Sequence, residues 1–123
     1  MKEKQLIWIS SSKKDLEKLP DEVIDTMGYG LHLAQNGDQH PNAKVLKGFG
    51  NATIIEIKDS DESGTYRCIY TLSMPKAVFV LHVFQKKSKQ GIKTPQQDRE
   101  LIKSRLRFAQ EIYRERFQGN KIS

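Results

Sequence analysis

The sequence predicts an α+β domain in which a small antiparallel sheet carries an N-terminal helical hairpin and a C-terminal helix, in the order β-α-α-β-β-β-α. Two stretches of helical periodicity lie near the start, three strand-like segments with short turns follow, and a third helical stretch comes last. The 123 residues, 37% hydrophobic and 29% charged, suit one globular domain over residues 1–123.

The first part of the chain supplies one strand and the helical hairpin. Residues 5–9 (QLIWI) are rich in β-branched and aromatic side chains, which predicts a strand. The serines that follow can begin a short helix over residues 12–19. Apolar residues then recur at helical spacing over residues 23–34, before a terminating Asn-Gly pair. Gly28 and Gly30 weaken this second helix by about 1 kcal/mol each unless close packing requires them.

The middle of the chain predicts a loop and then three strands. Residues 38–50 have the composition of a loop, and residues 53–58 (TIIEIK) begin the strands. Two further strands are expected over residues 65–72 and 77–84, joined by short turns as an antiparallel meander. The last of them is apolar on both faces, so it is expected to be central in the sheet.

The last element is a helix that begins near Thr94 and Pro95. Thr94 is the expected N-cap, Pro95 takes the first helical position, and the helix is expected to run to about Arg116. Apolar residues form a seam along one side of it. The opposite side carries four cationic residues: Arg99, Lys103, Arg107 and Arg114.

Composition argues against several classes of protein. The longest apolar run, residues 77–81, is far shorter than the roughly 20 residues of a membrane span, so no membrane contact is expected. Without a secretory signal, and with Cys68 as the single cysteine inside a strand pattern, we expect a cytoplasmic protein with a core thiol. The three histidines are far apart and no CxxC spacing exists, so neither a metal site nor a cofactor is predicted.

The positive charge is concentrated in one segment. Residues 86–116 contain ten lysines and arginines against four acids, an excess that equals the net charge of +6 for the whole chain. Such a concentration is typical of proteins that bind a phosphate-bearing partner or an acidic protein. A solvated helix face is the simpler interpretation of the same pattern.

Arg67 is a cation inside a predicted strand. It alternates with Ile69 and Thr71, so these three side chains are expected on one face of the sheet. Such an arginine either pairs with a neighbour such as Glu56 or presents its guanidinium group to a phosphate. The sequence leaves both alternatives open.

Further cations are expected near the same edge of the sheet. Lys86 and Lys87 follow a buried strand, so their backbone is anchored while their ammonium groups extend past the strand. His82 shares the strand parity of Phe84 and is either a core histidine or a group that titrates near neutral pH. Three more lysines can reach this edge: Lys44, Lys47 and Lys58.

This set of residues suits RNA cleavage without a metal ion. The ribose 2′-OH attacks the neighbouring phosphate, and an arginine and lysines stabilise the extra negative charge of the pentavalent transition state. A general base for the 2′-OH and an acid for the 5′-oxygen would come from a lysine, His82 or Glu56. An enzyme with a weak general base gains rate when a partner positions the RNA.

Several short motifs follow one another along the predicted sheet and into the last helix. They are Lys44-Val-Leu-Lys-Gly48, Glu56, Tyr66-Arg67-x-x-Tyr70, Leu81-His-x-Phe-x-Lys-Lys87 and Thr94-Pro95. Their order and spacing resemble the RelE/HigB superfamily of type II toxins, and most closely its phage-derived HigB-like branch. The resemblance covers about residues 5–110 and implies a RelE-like fold.

The resemblance also implies a function, partners and site residues. Many members are small basic toxins that cleave mRNA in the ribosomal A site, and their antitoxin is often a helix-turn-helix DNA-binding protein. The expected partners are therefore a cognate antitoxin, the ribosome and mRNA, with no cofactor. The resemblance matches Arg67 to a strand arginine that contacts the scissile phosphate, and Lys86 and Lys87 to a basic cluster after the last strand. The predicted catalytic residues are Arg67, Lys86, Lys87 and His82, and the predicted RNA-binding residues are Lys44, Lys47, Lys58, Lys89 and Lys93.

The sequence departs from RelE itself at one position. The C-terminal catalytic tyrosine of RelE has no counterpart here, because Tyr113 lies deep in a predicted helix. The identity of the general base therefore stays open. Two alternatives remain: a ParE-like toxin that acts on DNA gyrase without cutting RNA, and a non-catalytic module that binds RNA or the ribosome.

Overall fold

The computed structural model describes residues 3–86 and 94–119, which form a five-stranded sheet with helices on both of its faces. The strands are Gln5–Trp8 (β1), Ala43–Val45 (β2), Ile54–Asp61 (β3), Gly64–Thr71 (β4) and Ala77–Lys86 (β5). The helices are Ser12–Glu17 (α1), Asp21–Gln35 (α2) and Gln96–Phe117 (α3). The strand order across the sheet is β1-β5-β4-β3-β2.

The predicted α+β class is confirmed, and the structure adds two features to it. The strands β3, β4 and β5 form the predicted antiparallel meander. However, β1 pairs in parallel with β5, which is possible because the long intervening chain lets the two strands run in the same direction. The second addition is β2, which pairs with β3 inside the predicted loop over residues 38–50. Three residues are too few for an alternating pattern to reveal a strand.

The sheet has a hydrophobic core on each face. Val23, Met27 and Leu31 of α2 pack with α1 against one face, and Ile102 and Leu106 of α3 pack against the other. The strand β5 contributes to both cores, as its continuous apolar pattern predicted. Full burial of each large apolar side chain stabilises the fold by about 1.5–3 kcal/mol.

The two glycines of α2 have opposite surroundings. A Cβ atom added at Gly28 would meet no atom within 4 Å, whereas one added at Gly30 would lie 2.6 Å from Cδ1 of the buried Ile57. Gly30 is therefore the glycine that close packing of α2 on the sheet requires.

Gly28→Ala and Gly30→Ala are accordingly expected to change stability in opposite directions. Gly28→Ala should raise the free energy of unfolding by about 0.5–1 kcal/mol, because alanine loses less backbone entropy in a helix. Gly30→Ala should lower it, because the new methyl group displaces Ile57 in a tightly packed core. Urea denaturation of the two variants measures both changes. An equal increase in the free energy of unfolding for both variants would contradict the packing role of Gly30.

The helix α3 begins one residue later than predicted. Pro95 is the residue before the helix, and no side chain caps the helix start. The expectation that Thr94 is the N-cap is therefore wrong, because its hydroxyl group is used in the sheet instead. Within the two described ranges, no helix has both the length and the apolar character needed to cross a membrane.

Candidate nucleic-acid interface

Rows of cross-strand neighbours bring most of the predicted site residues to one face of the sheet. Lys58, Arg67 and Phe84 form one row across β3, β4 and β5. Directly opposite residues point to the same face of a sheet. Arg67 also shares its face with Ile69, two residues further along β4, which packs in the core beneath α3. This row therefore lies on the α3 side of the sheet.

Two neighbouring rows complete the arrangement. In one, Lys44 lies opposite Glu56, and the same row continues through Ile69 to His82. In the other, Lys86 lies opposite Thr65. The sheet thus places four predicted cations on one face, which we call the cationic face: Lys44, Lys58, Arg67 and Lys86.

A β-bulge in β5 sets the direction of His82. Ile69 lies opposite His82, whereas the next residue of β4 lies opposite Val80, which leaves Leu81 as the extra residue. Val80 and Val83 both pack beneath α1 and α2. The two residues between them, Leu81 and His82, therefore both turn toward α3.

Arg67 pairs with Glu56 inside the fold. Its Nη1 lies 2.8 Å from Oε2 of Glu56, and both side chains are only 1% exposed. The Thr94 hydroxyl donates a hydrogen bond to the same carboxylate oxygen at 3.0 Å and lies 3.5 Å from Nη1 of Arg67. Of the two alternatives for Arg67, the structure shows the pair with Glu56. It also explains why Thr94 does not cap α3.

His82 is held by two residues of α3 that the sequence did not single out. Its Nε2 lies 2.8 Å from Oδ1 of Asp98, and its Nδ1 lies 3.4 Å from Nη1 of Arg105. A guanidinium group only donates, so the fitting neutral tautomer carries its proton on Nε2 and donates it to Asp98. The ring also stacks on Phe84, with centroids 4.5 Å apart. The only signal in the sequence was the seven-residue spacing of Asp98 and Arg105, which is two helical turns.

The surroundings of His82 favour its neutral form. Burial lowers its pKa below the ordinary value of 6.5, and the Arg105 charge acts in the same direction. The hydrogen bond and charge of Asp98 oppose this effect, as does the charge of Asp15. Because burial is the largest effect, His82 is expected to be neutral at pH 7.

Acidification is expected to destabilise the protein through His82. The pKa of His82 is lower in the folded state than in the unfolded state, so the unfolded state takes up the proton first. This contribution to stability is complete above pH 6.5 and is lost as the pH falls through the folded-state pKa. Urea denaturation at several pH values should show a smaller acid-side loss for His82→Gln. Superimposable pH profiles would contradict this role of His82.

The remaining predicted residues lie elsewhere. Lys47 is in the loop after β2, where its carbonyl oxygen accepts a hydrogen bond from Arg99 at 2.7 Å. Three others lie outside the described residues: Lys87, Lys89 and Lys93. Within the described ranges, neither Lys44 nor Lys58 forms an ion pair.

Two further residues of the sequence, Cys68 and Tyr113, belong to the cores. Burial raises the pKa of Cys68 to about 12, so the thiol is a core group, as predicted. Tyr113 is also buried, and its hydroxyl accepts a hydrogen bond from the backbone N–H of Lys76 at 3.3 Å. Lys76 directly precedes β5, whereas Lys86 ends it, so Tyr113 lies at the opposite end of that strand from the cationic face.

A comparison with known protein families covers most of these elements. A family model described as phage derived protein Gp49-like matches residues 14–107, which include every predicted site residue. The chain belongs to the Gp49-like family. This family is associated with toxin–antitoxin systems and is related to RelE-like toxins. No curated protein matches the chain at a significant level. Among the described residues, no group of three or more His, Cys, Asp or Glu side chains is arranged to hold a metal ion.

Proposed function

We propose that the protein is the HigB-like toxin of a type II toxin–antitoxin system and cleaves ribosome-bound mRNA without a metal ion. The observation that carries this proposal is the cationic face. Three lysines from three different strands surround the Arg67–Glu56 pair on one side of the sheet. Membership of a toxin–antitoxin-associated family supports the same function.

The proposed reaction is an attack within the RNA chain. The 2′-oxygen forms a bond to the adjacent phosphorus while the bond from phosphorus to the 5′-oxygen breaks. A base accepts the 2′-OH proton and an acid supplies a proton to the 5′-oxygen. The products are a 2′,3′-cyclic phosphate and a 5′-hydroxyl end. Cations fixed on a sheet stabilise the added charge on the phosphate without having to reorganise.

The proposed roles follow the geometry of the cationic face. Lys58 and Lys86 contact the scissile phosphate, and Lys44 contacts the RNA backbone beside it. Arg67 is proposed to add its charge to the phosphate when its Nη1 group leaves Glu56. His82, hydrogen-bonded to Asp98, is proposed as the acid or base. As the sequence predicts, Lys87 is also proposed to act at the phosphate, and Lys89 and Lys93 are proposed to bind the RNA.

The proposed partners are the ribosome, mRNA and a cognate antitoxin. The family association suggests an antitoxin as partner, and we propose that it is a helix-turn-helix DNA-binding protein. Because the general base in this arrangement is weak, the ribosome is proposed to accelerate the cleavage by positioning the mRNA.

Controlled expression of the chain tests the proposed function. Induction should arrest growth and produce new 5′-hydroxyl ends within translated mRNAs. Purified protein should cut an mRNA on translating ribosomes and leave the same mRNA intact without ribosomes. Growth arrest with intact mRNA would overturn the nuclease proposal.

A second candidate function is a non-nuclease toxin that binds DNA gyrase or another protein. The burial of Arg67 in its pair with Glu56 and the hydrogen bond that already occupies Nε2 of His82 favour it. A toxin of this kind would cause growth arrest with a DNA-damage response and would produce no new mRNA ends.

A further inference from the structure

A groove of about 300 Å³ lies between α3 and the glycine-containing turn after β2. The turn is closed by a hydrogen bond from the Ala52 N–H to the Phe49 carbonyl oxygen at 3.1 Å. The groove is lined by Gly48, Phe49, Gly50, Lys103, Leu106 and Arg107. Two apolar residues and two cations thus share one depression in the surface.

Arg99 fixes the wall of this groove. The sequence placed Arg99 on the solvent side of α3, but its guanidinium group donates to the Lys47 carbonyl oxygen at 2.7 Å and lies 5.4 Å from the centre of the Phe49 ring. Gly48 has a φ of 100°, and a Cβ atom there would lie 2.9 Å from Nη1 of Arg99. Glycine at this position therefore permits both the backbone conformation and the close approach of Arg99.

The cations of the groove are accessible. Arg107 is exposed, and within residues 3–86 and 94–119 it forms no ion pair. The Lys103 side chain is 44% exposed and lies 3.8 Å from Glu100, which is itself 61% exposed. Such an exposed pair is weak and screened by salt, so Lys103 can exchange it for another anion.

The groove is linked to the cationic face through the loop after β2. Arg99, Lys103 and Arg107 are spaced four residues apart along α3, and together they cover about 12 Å of the helix. At its start, Arg99 holds the loop that carries Lys47, three residues after Lys44 of the cationic face. A single extended polyanion that occupies the cationic face can therefore continue along α3.

We propose that this groove binds the phosphodiester backbone of single-stranded RNA through Lys103 and Arg107. The inference rests on the proposed function, because it extends the path of the same RNA beyond the cationic face. The continuity of the two surfaces favours RNA over an acidic protein segment. Phe49 is buried, so the groove contacts the RNA backbone and does not stack its bases.

RNA binding by Lys103→Gln/Arg107→Gln tests the inference. The probe is a short fluorescein-labelled 2′-O-methyl oligoribonucleotide, which cannot be cleaved because its 2′-oxygen is blocked. Fluorescence anisotropy over a range of KCl concentrations should show weaker binding by the double variant. The slope of log affinity against log salt should become shallower by about 1.4, since each phosphate contact to a single strand contributes about 0.7.

The matched control is Lys13→Gln/Lys18→Gln, which removes two exposed charges in and directly after α1. It should leave the salt slope unchanged, and equal melting temperatures should show that both variants are folded. An unchanged slope for Lys103→Gln/Arg107→Gln would overturn the inference. Loss of polyglutamate binding with unchanged RNA binding would also overturn it, in favour of an acidic protein.

The inference and the proposed function fail in different ways. Groove-dependent RNA binding without cleavage of ribosome-bound mRNA would support the groove and refute the nuclease. Cleavage together with RNA binding that does not depend on the groove would support the nuclease and refute the groove.

Discussion

Replacing Arg67 with methionine is expected to lower the free energy of unfolding by about 3–5 kcal/mol, because it leaves a charged group buried without its partner. Glu56 is 1% exposed, and among the described residues its Oε2 would keep only the hydrogen bond from the Thr94 hydroxyl. Its Oε1 has no hydrogen-bond partner among the described residues. Since domains are stable by only about 5–15 kcal/mol, the single variant should be severely destabilised. Urea denaturation of Arg67→Met measures the loss.

The double variant Glu56→Leu/Arg67→Met separates loss of charge pairing from loss of packing. Both charges are removed while side chains of similar size are kept, so most of the lost stability should return. Lys103→Met is the matched control, because it breaks an exposed pair with Glu100 and should cost less than about 1 kcal/mol. If Arg67→Met cost no more than Lys103→Met, the buried pair would not stabilise the fold.

The same double variant distinguishes the two roles of Arg67. A folded Glu56→Leu/Arg67→Met that still cleaves mRNA would show that Arg67 serves the fold. A folded double variant that no longer cleaves would show that the Arg67 charge reaches the phosphate. Arg67→Ala alone cannot separate these outcomes, because unfolding also abolishes activity.

Local sequence patterns predicted the elements but not the contacts between them. Runs of strand-forming residues between short turns located β3, β4 and β5 to within a few residues, and strand parity placed Arg67 on the same face as Ile69. The parallel pairing of β1 with β5 depends on how distant segments meet. No periodicity within either strand specifies that pairing.

The candidate site shows the same limit. Whether Arg67 pairs with Glu56 depends on the register of β3 against β4. In this register Arg67 lies opposite Lys58, which is two residues from Glu56 on the same face of the sheet. The role of Thr94 and the contacts of Asp98 and Arg105 with His82 depend on how α3 lies across the sheet. The strong capping pattern at Thr94 was misleading because a buried carboxylate competes for its hydroxyl group.

The positive charge that is concentrated in residues 86–116 is distributed over different places in the folded structure. The excess over residues 86–116 contributes Lys86 to the cationic face, whereas Arg99 holds a loop and Arg105 holds His82. A count of charges along the chain cannot distinguish cations that bind a partner from cations that form contacts within the fold.

Removal of the two lysines that flank Arg67 is expected to reduce mRNA cleavage strongly. The Arg67–Glu56 pair has no net charge, so the positive potential of the cationic face comes from its lysines. Lys58 lies directly opposite Arg67, and Lys86 of β5 lies opposite Thr65, two residues before Arg67 in β4. Loss of one preorganised group that stabilises transition-state charge typically costs 10²–10³ in rate. We therefore expect Lys58→Gln/Lys86→Gln to cut ribosome-bound mRNA at least about 10²-fold more slowly.

The expected loss concerns the chemical step and not the fold. Lys58 and Lys86 are half-buried, and glutamine keeps much of their length, so the free energy of unfolding should change by less than about 1 kcal/mol. Lys13→Gln/Lys18→Gln, with the same loss of charge in and beside α1, should cleave at the wild-type rate. Single-turnover rates on preassembled ribosome complexes separate slower cleavage from weaker binding. A normal single-turnover rate for Lys58→Gln/Lys86→Gln would show that the scissile phosphate lies elsewhere, because a lysine that stabilises transition-state charge cannot be removed without slowing that step.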